Sequence, residues 1–333
     1  MEFGEVPTAQ AMGAILAHSI ALPQGRLRKG MTLGADDIAA LFAAGIMAVT
    51  VARLGADDVH EDAAAQTVAR ALVPDPAAAG LELRIMGTGR VNFVATRAGI
   101  AALTVSQIHA LNVVHPMITL ATVPPWQRVA VGDMVATVKI ISYGVPGDAV
   151  AQACGVGAAL AVRGVVRPRV ALVQTMLGAE DGVKGQRVTQ ARVARLGGTL
   201  APLHLVPHQI DALAQALAAL SVDVILILTA SATSDAADTA PAALAAAGGR
   251  LIHFGMPVDP GNLLFLGDLA GVPVIGLPGC AKSPALNGAD FVLERMMCGL
   301  DVTPADIAVM GVGGLLTEIP TRPKPRESAQ SLA

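Results

Sequence analysis

The chain has 333 residues, enough for two or three domains, and is 53% hydrophobic but only 2% aromatic. A core of Ala, Val, Leu and Ile suits layered α/β structure, because alanine lets helices approach a branched aliphatic sheet closely. A formal charge of -3 with a charged fraction of 15% supplies no basic field, which argues against nucleic acid as a partner.

Mean hydropathy is +0.58, yet the longest weakly polar stretch, 149–166, is broken by Gln152, Gly155, Gly157, Arg163 and Gly164. It falls short of the roughly 20 apolar residues that a spanning helix needs. The opening Met-Glu-Phe-Gly-Glu is acidic where a secretory signal is basic. Cys154, Cys280 and Cys298 form neither a disulfide framework nor a metal spacing. A cytoplasmic protein without a membrane segment is expected.

In chain order, 1–77 reads as an α/β segment. Helices are predicted at 8–19 and 36–44, the second with Ile38, Leu41 and Phe42 at helical spacing. A strand follows at 47–51, then a helix at 61–72, closed by Pro74 and Pro76. Residues 78–166 read as a β-rich or α+β module. Strands are expected at 81–86, 91–95, 117–123 and 134–141, between glycine turns. From 167 to 325 the pattern alternates. Strands at 169–175, 199–206, 222–228, 250–254, 263–266 and 272–277 are interleaved with helices at 187–196, 209–220, 239–247 and 284–298. That repetition predicts a three-layer α/β domain with a parallel sheet covered on both faces. The last residues, 326–333, read as a disordered tail.

Ligands of open α/β sheets bind beyond the C-terminal strand ends. After the apolar run at 222–228 come Thr229, Ser231, Thr233, Ser234, Asp235 and Asp238. Hydroxyls and helix N-terminal amides suit a phosphate or pterin, and Asp235 with Asp238 are candidate Mg²⁺ ligands. The plainer alternative is N-capping by Ser234 or Asp238. After 272–277 come Pro278, Gly279, Cys280, Lys282 and Ser283. Gly279 permits close backbone approach there, while the alternative is an ordinary connection with proline in the first helical turn. After 169–175 come Glu180 and Asp181, more simply a solvated acidic loop. Residues 259–262 (DPGN) make a good turn by composition. The seven histidines show no metal-ligand pairing; His18, His109 and His115 read as structural.

These segments resemble the molybdopterin-binding domain shared by gephyrin and the bacterial molybdenum-insertion enzymes. Residues 229–238 match that family's Thr-Gly-Gly-x-Ser-x-Gly-x-x-Asp loop at Thr229, Thr233 and Asp238. GGRLIHFGMPVDPGNLLFLG (248–267) is similar to the segment around its Lys-Pro-Gly-Lys-Pro turn. IGLPGCAKSPAL (275–286) is similar to its Leu-Pro-Gly-Asn-Pro-x-Ser signature, and LPQGRLRKGMTLGADDIAALFAAGIMAVTVARL (22–54) to the stretch preceding the domain. The family's paired glycines are Ala230 and Ser231 here, and its Pro-Pro-Phe-Asp-Asn-Ser-Ala segment is missing. The resemblance implies binding of molybdopterin, its nucleotide adduct or the molybdenum cofactor, for cofactor biosynthesis, maturation or delivery to a molybdoenzyme. It implies a homo-oligomer, and as ligand contacts Thr229, Ser231, Thr233, Ser234, Asp235, Asp238, Pro278, Gly279 and Ser283. Two alternatives stand beside it. One is a divergent molybdenumtransferase that uses Mg²⁺ and releases AMP, with Glu180 and Asp181 as candidate carboxylates; the other is a non-catalytic regulator or scaffold of the same fold.

Overall fold

The run Val224–Leu228 (VILIL) is buried along its whole length, and in the computed structural model it is a central strand of the second of two units. Residues 1–179, 181–259 and 261–316 are described; Glu180 and the tail expected at 326–333 lie outside them. One unit comprises Met1–Arg97 and Ala101–Arg163, the other Ala98–Ile100 and the chain from Gly164 on.

In the second unit the elements are β1 (Arg169–Met176), α1 (Val183–Ala194), β2 (Thr199–Leu200), β3 (His204–Pro207), α2 (Ile210–Ala218) and β4 (Val224–Leu228). They continue with α3 (Thr239–Ala246), β5 (Arg250–Met256), β6 (Asn262–Leu269), β7 (Val272–Leu277), α4 (Gly288–Met297) and α5 (Pro304–Val309). The sheet order is β2-β1-β4-β7-β6-β5, with β3 also paired to β1. Alternation along the strands divides the core. Val224, Leu226 and Leu228 pack with Val193 of α1 and Val292 of α4. Ile225 and Ile227 pack with Leu213 of α2 and Ala243 of α3. The sheet is thus covered on both faces, as α/β layering requires.

The α/β class stands, but the sheet is mixed rather than parallel throughout. β1, β2, β3, β4 and β7 run parallel, whereas β6 is antiparallel to both β7 and β5. Only Ala270 and Gly271 separate β6 from β7, with φ of 52° and 86°. Two residues with positive φ make a tight hairpin, while a parallel crossover takes a dozen residues or more. Asp268 closes the turn by accepting from Gly271 N at 3.2 Å.

In the first unit the helix expected at 8–19 does not form. Glu2–Pro7 and Ile15–Leu16 instead pair antiparallel with Ala48–Arg53. Gly13, at φ 75°, turns the chain between them; tertiary pairing overrides local helical pattern. The helix at Glu61–Leu72 forms at its expected bounds. It buries Ala65, Val68 and Leu72 in the core of a four-stranded sheet ordered Ile118–Thr122, Met134–Ile140, Arg90–Ala95, Leu81–Gly87. Helices Val105–Asn112 and Gly147–Cys154 have eight residues each, too short for their periodicity to stand out in the sequence. Among the described residues no helix is long and apolar enough to cross a membrane.

Candidate functional site

Register fixes where the strand-end loops begin. Gln174 of β1 pairs with Leu228 of β4, and Leu228 pairs with Leu277 of β7. Thr175, Thr229 and Pro278 therefore succeed one another across the carboxyl rim of adjacent parallel strands, which lie about 4.8 Å apart. The antiparallel β6 joins from the other side. Its Phe265 pairs with Gly276, so β6 starts at the same rim; Pro260 of the turn expected at 259–262 lies outside the described residues. The loops at 229–238 and 278–283 thus leave from neighbouring strands.

Within 229–238 the hydroxyls divide into two kinds. Thr229 and Thr233 are buried and face each other, with Oγ1 atoms 3.3 Å apart; they hold the loop to the sheet. Ser231 and Ser234 are exposed, and Ser234 Oγ donates to Asp238 Oδ2 at 3.5 Å. Asp238 organises the turn into α3. Its Oδ2 accepts from Ser234 N at 3.0 Å and its Oδ1 from Thr239 N. Asp235, exposed, accepts from Ala237 N at 2.7 Å. Both carboxylates thus serve the backbone of their own loop. Among the described residues no three His, Cys, Asp or Glu side chains gather as a metal set.

The Ser234 amide, followed by the Thr239 amide and the nearby His208, holds the Asp238 carboxyl below its ordinary value, against partial burial that pushes it up. A folded-state pKa below the unfolded one adds stability above the unfolded value, and that contribution is lost as pH falls through the folded one. Asp238→Ala is expected to cost about 1 kcal/mol of stability at neutral pH, a typical N-cap loss. The difference from wild type should shrink in urea titrations carried below pH 4.

His208 joins this rim without having been expected there. Ala230 N donates to Thr175 Oγ1 at 2.9 Å, and Thr175 Oγ1 lies 2.8 Å from His208 Nδ1. His208 directly follows β3, whose Pro207 pairs with Met176. The signal was there: a histidine between a strand and the helix at 209–220.

The 278–283 loop is a single turn of 3-10 helix, Gly279–Lys282, gripped from below by buried Arg192 of α1. Its guanidinium donates to the carbonyls of Ala281 at 2.6 Å, Ser283 at 2.8 Å and Ala285 at 3.2 Å, and pairs with Asp290 at 2.7 Å. Asp290 also accepts from Asn287 N at 2.8 Å, and Asn287 Nδ2 reaches Cys280 Sγ at 2.9 Å. Ser283 Oγ accepts from Ala285 N at 3.3 Å. Gly279 faces the other way: a Cβ there would meet nothing within 4 Å. Asn262, at the start of β6, is buried; its Oδ1 accepts from Leu264 N at 3.1 Å. Its Nδ2 finds no partner among the described residues. A buried amide donor without an acceptor is costly to leave so, and a ligand is one way to satisfy it. At the third strand end, Asp181 accepts from Val183 N at 3.0 Å.

The arrangement is a rim of two exposed hydroxyls, an open glycine backbone and one orphaned amide, with the Asp235 and Asp238 carboxylates turned to the backbone of their own loop. Hydroxyl and amide donors of this kind suit a carbonyl-rich or phosphate-bearing ligand.

The family described as Domain of unknown function (DUF8806) matches residues 5–53. No curated protein matches the chain. Among solved structures, the molybdopterin biosynthesis moea protein from Pyrococcus horikosii is similar at 16% identity, covering 89% of this chain and 75% of that one, with a TM-score of 0.31. A molybdenum cofactor biosynthesis protein from Pyrococcus furiosus is similar at 15% identity, covering 92% and 65%, with a TM-score of 0.25. Molybdenum cofactor biosynthesis protein B is similar at 15% identity, covering 39% and 86%, with a TM-score of 0.29. At such scores none of these likenesses bears on what this chain binds.

Proposed function

We propose that this chain binds molybdopterin or the molybdenum cofactor at the rim formed by 229–238, 278–283 and Asn262, and acts in biosynthesis, maturation or delivery of that cofactor. The observation that carries the reading is the register Gln174–Leu228–Leu277, which sets the hydroxyl loop and the glycine loop side by side. The exposed hydroxyls of Ser231 and Ser234 take the terminal phosphate. Gly279 lets the ring system approach the backbone, and Asn262 Nδ2 supplies a donor to a pterin oxygen. Asp238 shapes the phosphate loop rather than holding Mg²⁺.

Gly279→Val tests the site without disturbing the fold. Its Cβ meets open space and its φ is not left-handed, so stability should stay within about 0.5 kcal/mol of wild type. Bound ligand, by contrast, loses its closest approach to the chain. Calorimetric titration with molybdopterin should show affinity lower by tenfold or more in Gly279→Val. No binding to the wild type, or equal binding to both, removes the assignment.

A further inference from the structure

Leu81–Gly87 is an edge strand. It ends the four-stranded sheet of the first unit and pairs only with Arg90–Ala95 among the described residues. A register shift between Ile85 and Gly87 ends its regular pairing, leaving the five residues 81–85 as a straight edge. Leu81, Leu83 and Ile85 share one face, Glu82 and Arg84 the other, as strand alternation dictates. The apolar face lines an open groove of about 850 Å³ beside Ala69, Val73 and Pro76, and Ile85 is 57% exposed. Proteins usually protect such an edge, since its unpaired amides and carbonyls template another strand.

The order apolar, acid, apolar, base, apolar reads the same in both directions once the two charges are exchanged. We propose that two copies of this chain join here, edge to edge and antiparallel, about a twofold axis at Leu83. In that register Leu83 faces the second copy's Leu83, Leu81 faces its Ile85, and Glu82 faces its Arg84. Two cross-strand ion pairs form by symmetry, and the apolar faces of both sheets lie on the same side, closing the two grooves against each other. Neighbouring registers fail. A twofold at Glu82 or at Arg84 sets like charges opposite each other, which is destabilising. A twofold between two residues puts apolar side chains opposite charged ones. Within one chain Glu82 and Arg84 already pair at 2.9 Å, but both are about half exposed. A pair like that contributes little and is readily exchanged for the partner's. The interface is isologous, the form that closes as a dimer rather than a fibre.

Sedimentation equilibrium of the full chain tests it. The wild type should be a dimer. Arg84→Glu and Glu82→Arg should each raise the dimer dissociation constant roughly tenfold or more, since both symmetric pairs turn repulsive. The double exchange, Glu82→Arg with Arg84→Glu, should restore it; a merely misfolded single variant has no reason to recover. Leu83→Cys should give a covalent dimer under mild oxidation, whereas Ala121→Cys, on the opposite edge strand, should not exceed wild type. A monomeric wild type overturns the proposal. So does a dimer indifferent to Arg84→Glu, or a double exchange that stays weak.

Discussion

Arg192→Ala is expected to be among the most damaging single substitutions in the second unit, lowering the unfolding free energy by about 3–5 kcal/mol, the usual cost of breaking a buried ion pair. Arg192 and Asp290 have side chains only 6% and 3% exposed. Removing the guanidinium strands the Asp290 charge in the core and also leaves the carbonyls of Ala281, Ser283 and Ala285 without their donor. Arg192→Lys keeps the charge but not the planar fork, which reaches several oxygens at once; it should recover only part of the loss. Urea denaturation midpoints, read at constant m, check both. The clamp also has a functional side. It fixes the backbone that presents Gly279, so Arg192→Lys should weaken molybdopterin binding at temperatures where the protein is still fully folded.

Much of this architecture was legible in the sequence, for reasons that can be named. VILIL is continuously apolar because helices cover both faces of its strand, and such runs flanked by helical patterns imply α/β layering. The ends of those runs placed 229–238 and 278–283 at the rim before any register was known. What the sequence did not disclose depends on distance along the chain. Arg192 sits among Arg187, Gln190 and Arg195 in a stretch that reads as an amphipathic helix, and its partner Asp290 lies 98 positions away. No local pattern distinguishes a buried arginine from an exposed one. His208 and Asn262 were visible as residues but not as neighbours of the site, because their relevance comes from strand pairing. The mixed character of the sheet was hidden for a smaller reason: Ala270-Gly271 is a hairpin turn without the asparagine or aspartate that usually announces one. The split of hydroxyls into buried Thr229 and Thr233 and exposed Ser231 and Ser234 likewise arises from how the loop packs on the sheet, which no local pattern encodes.

The second large effect is expected at the pair Phe265 and Gly276, which face each other between β6 and β7. Phe265 is 1% exposed, and its ring lies over Gly276 so closely that a Cβ there would overlap it. In a chain with six phenylalanines and one tryptophan, few large rings are at hand to fill such a space. Phe265→Ala should therefore cost about 3–5 kcal/mol, through lost burial plus the cavity left behind. Gly276→Val should cost about 1–3 kcal/mol by the opposite route, overpacking. The double variant Phe265→Ala with Gly276→Val is the informative one. Valine returns part of the missing volume on the facing strand, so its destabilisation should be well below the sum of the two singles. That non-additivity is the signature of residues in direct contact. Gly276 stands two residues before Pro278, so the same contact sets the height of β7 at the rim. A double variant that regains stability but not molybdopterin affinity would show that the ring holds the binding loop in place as well as filling the core.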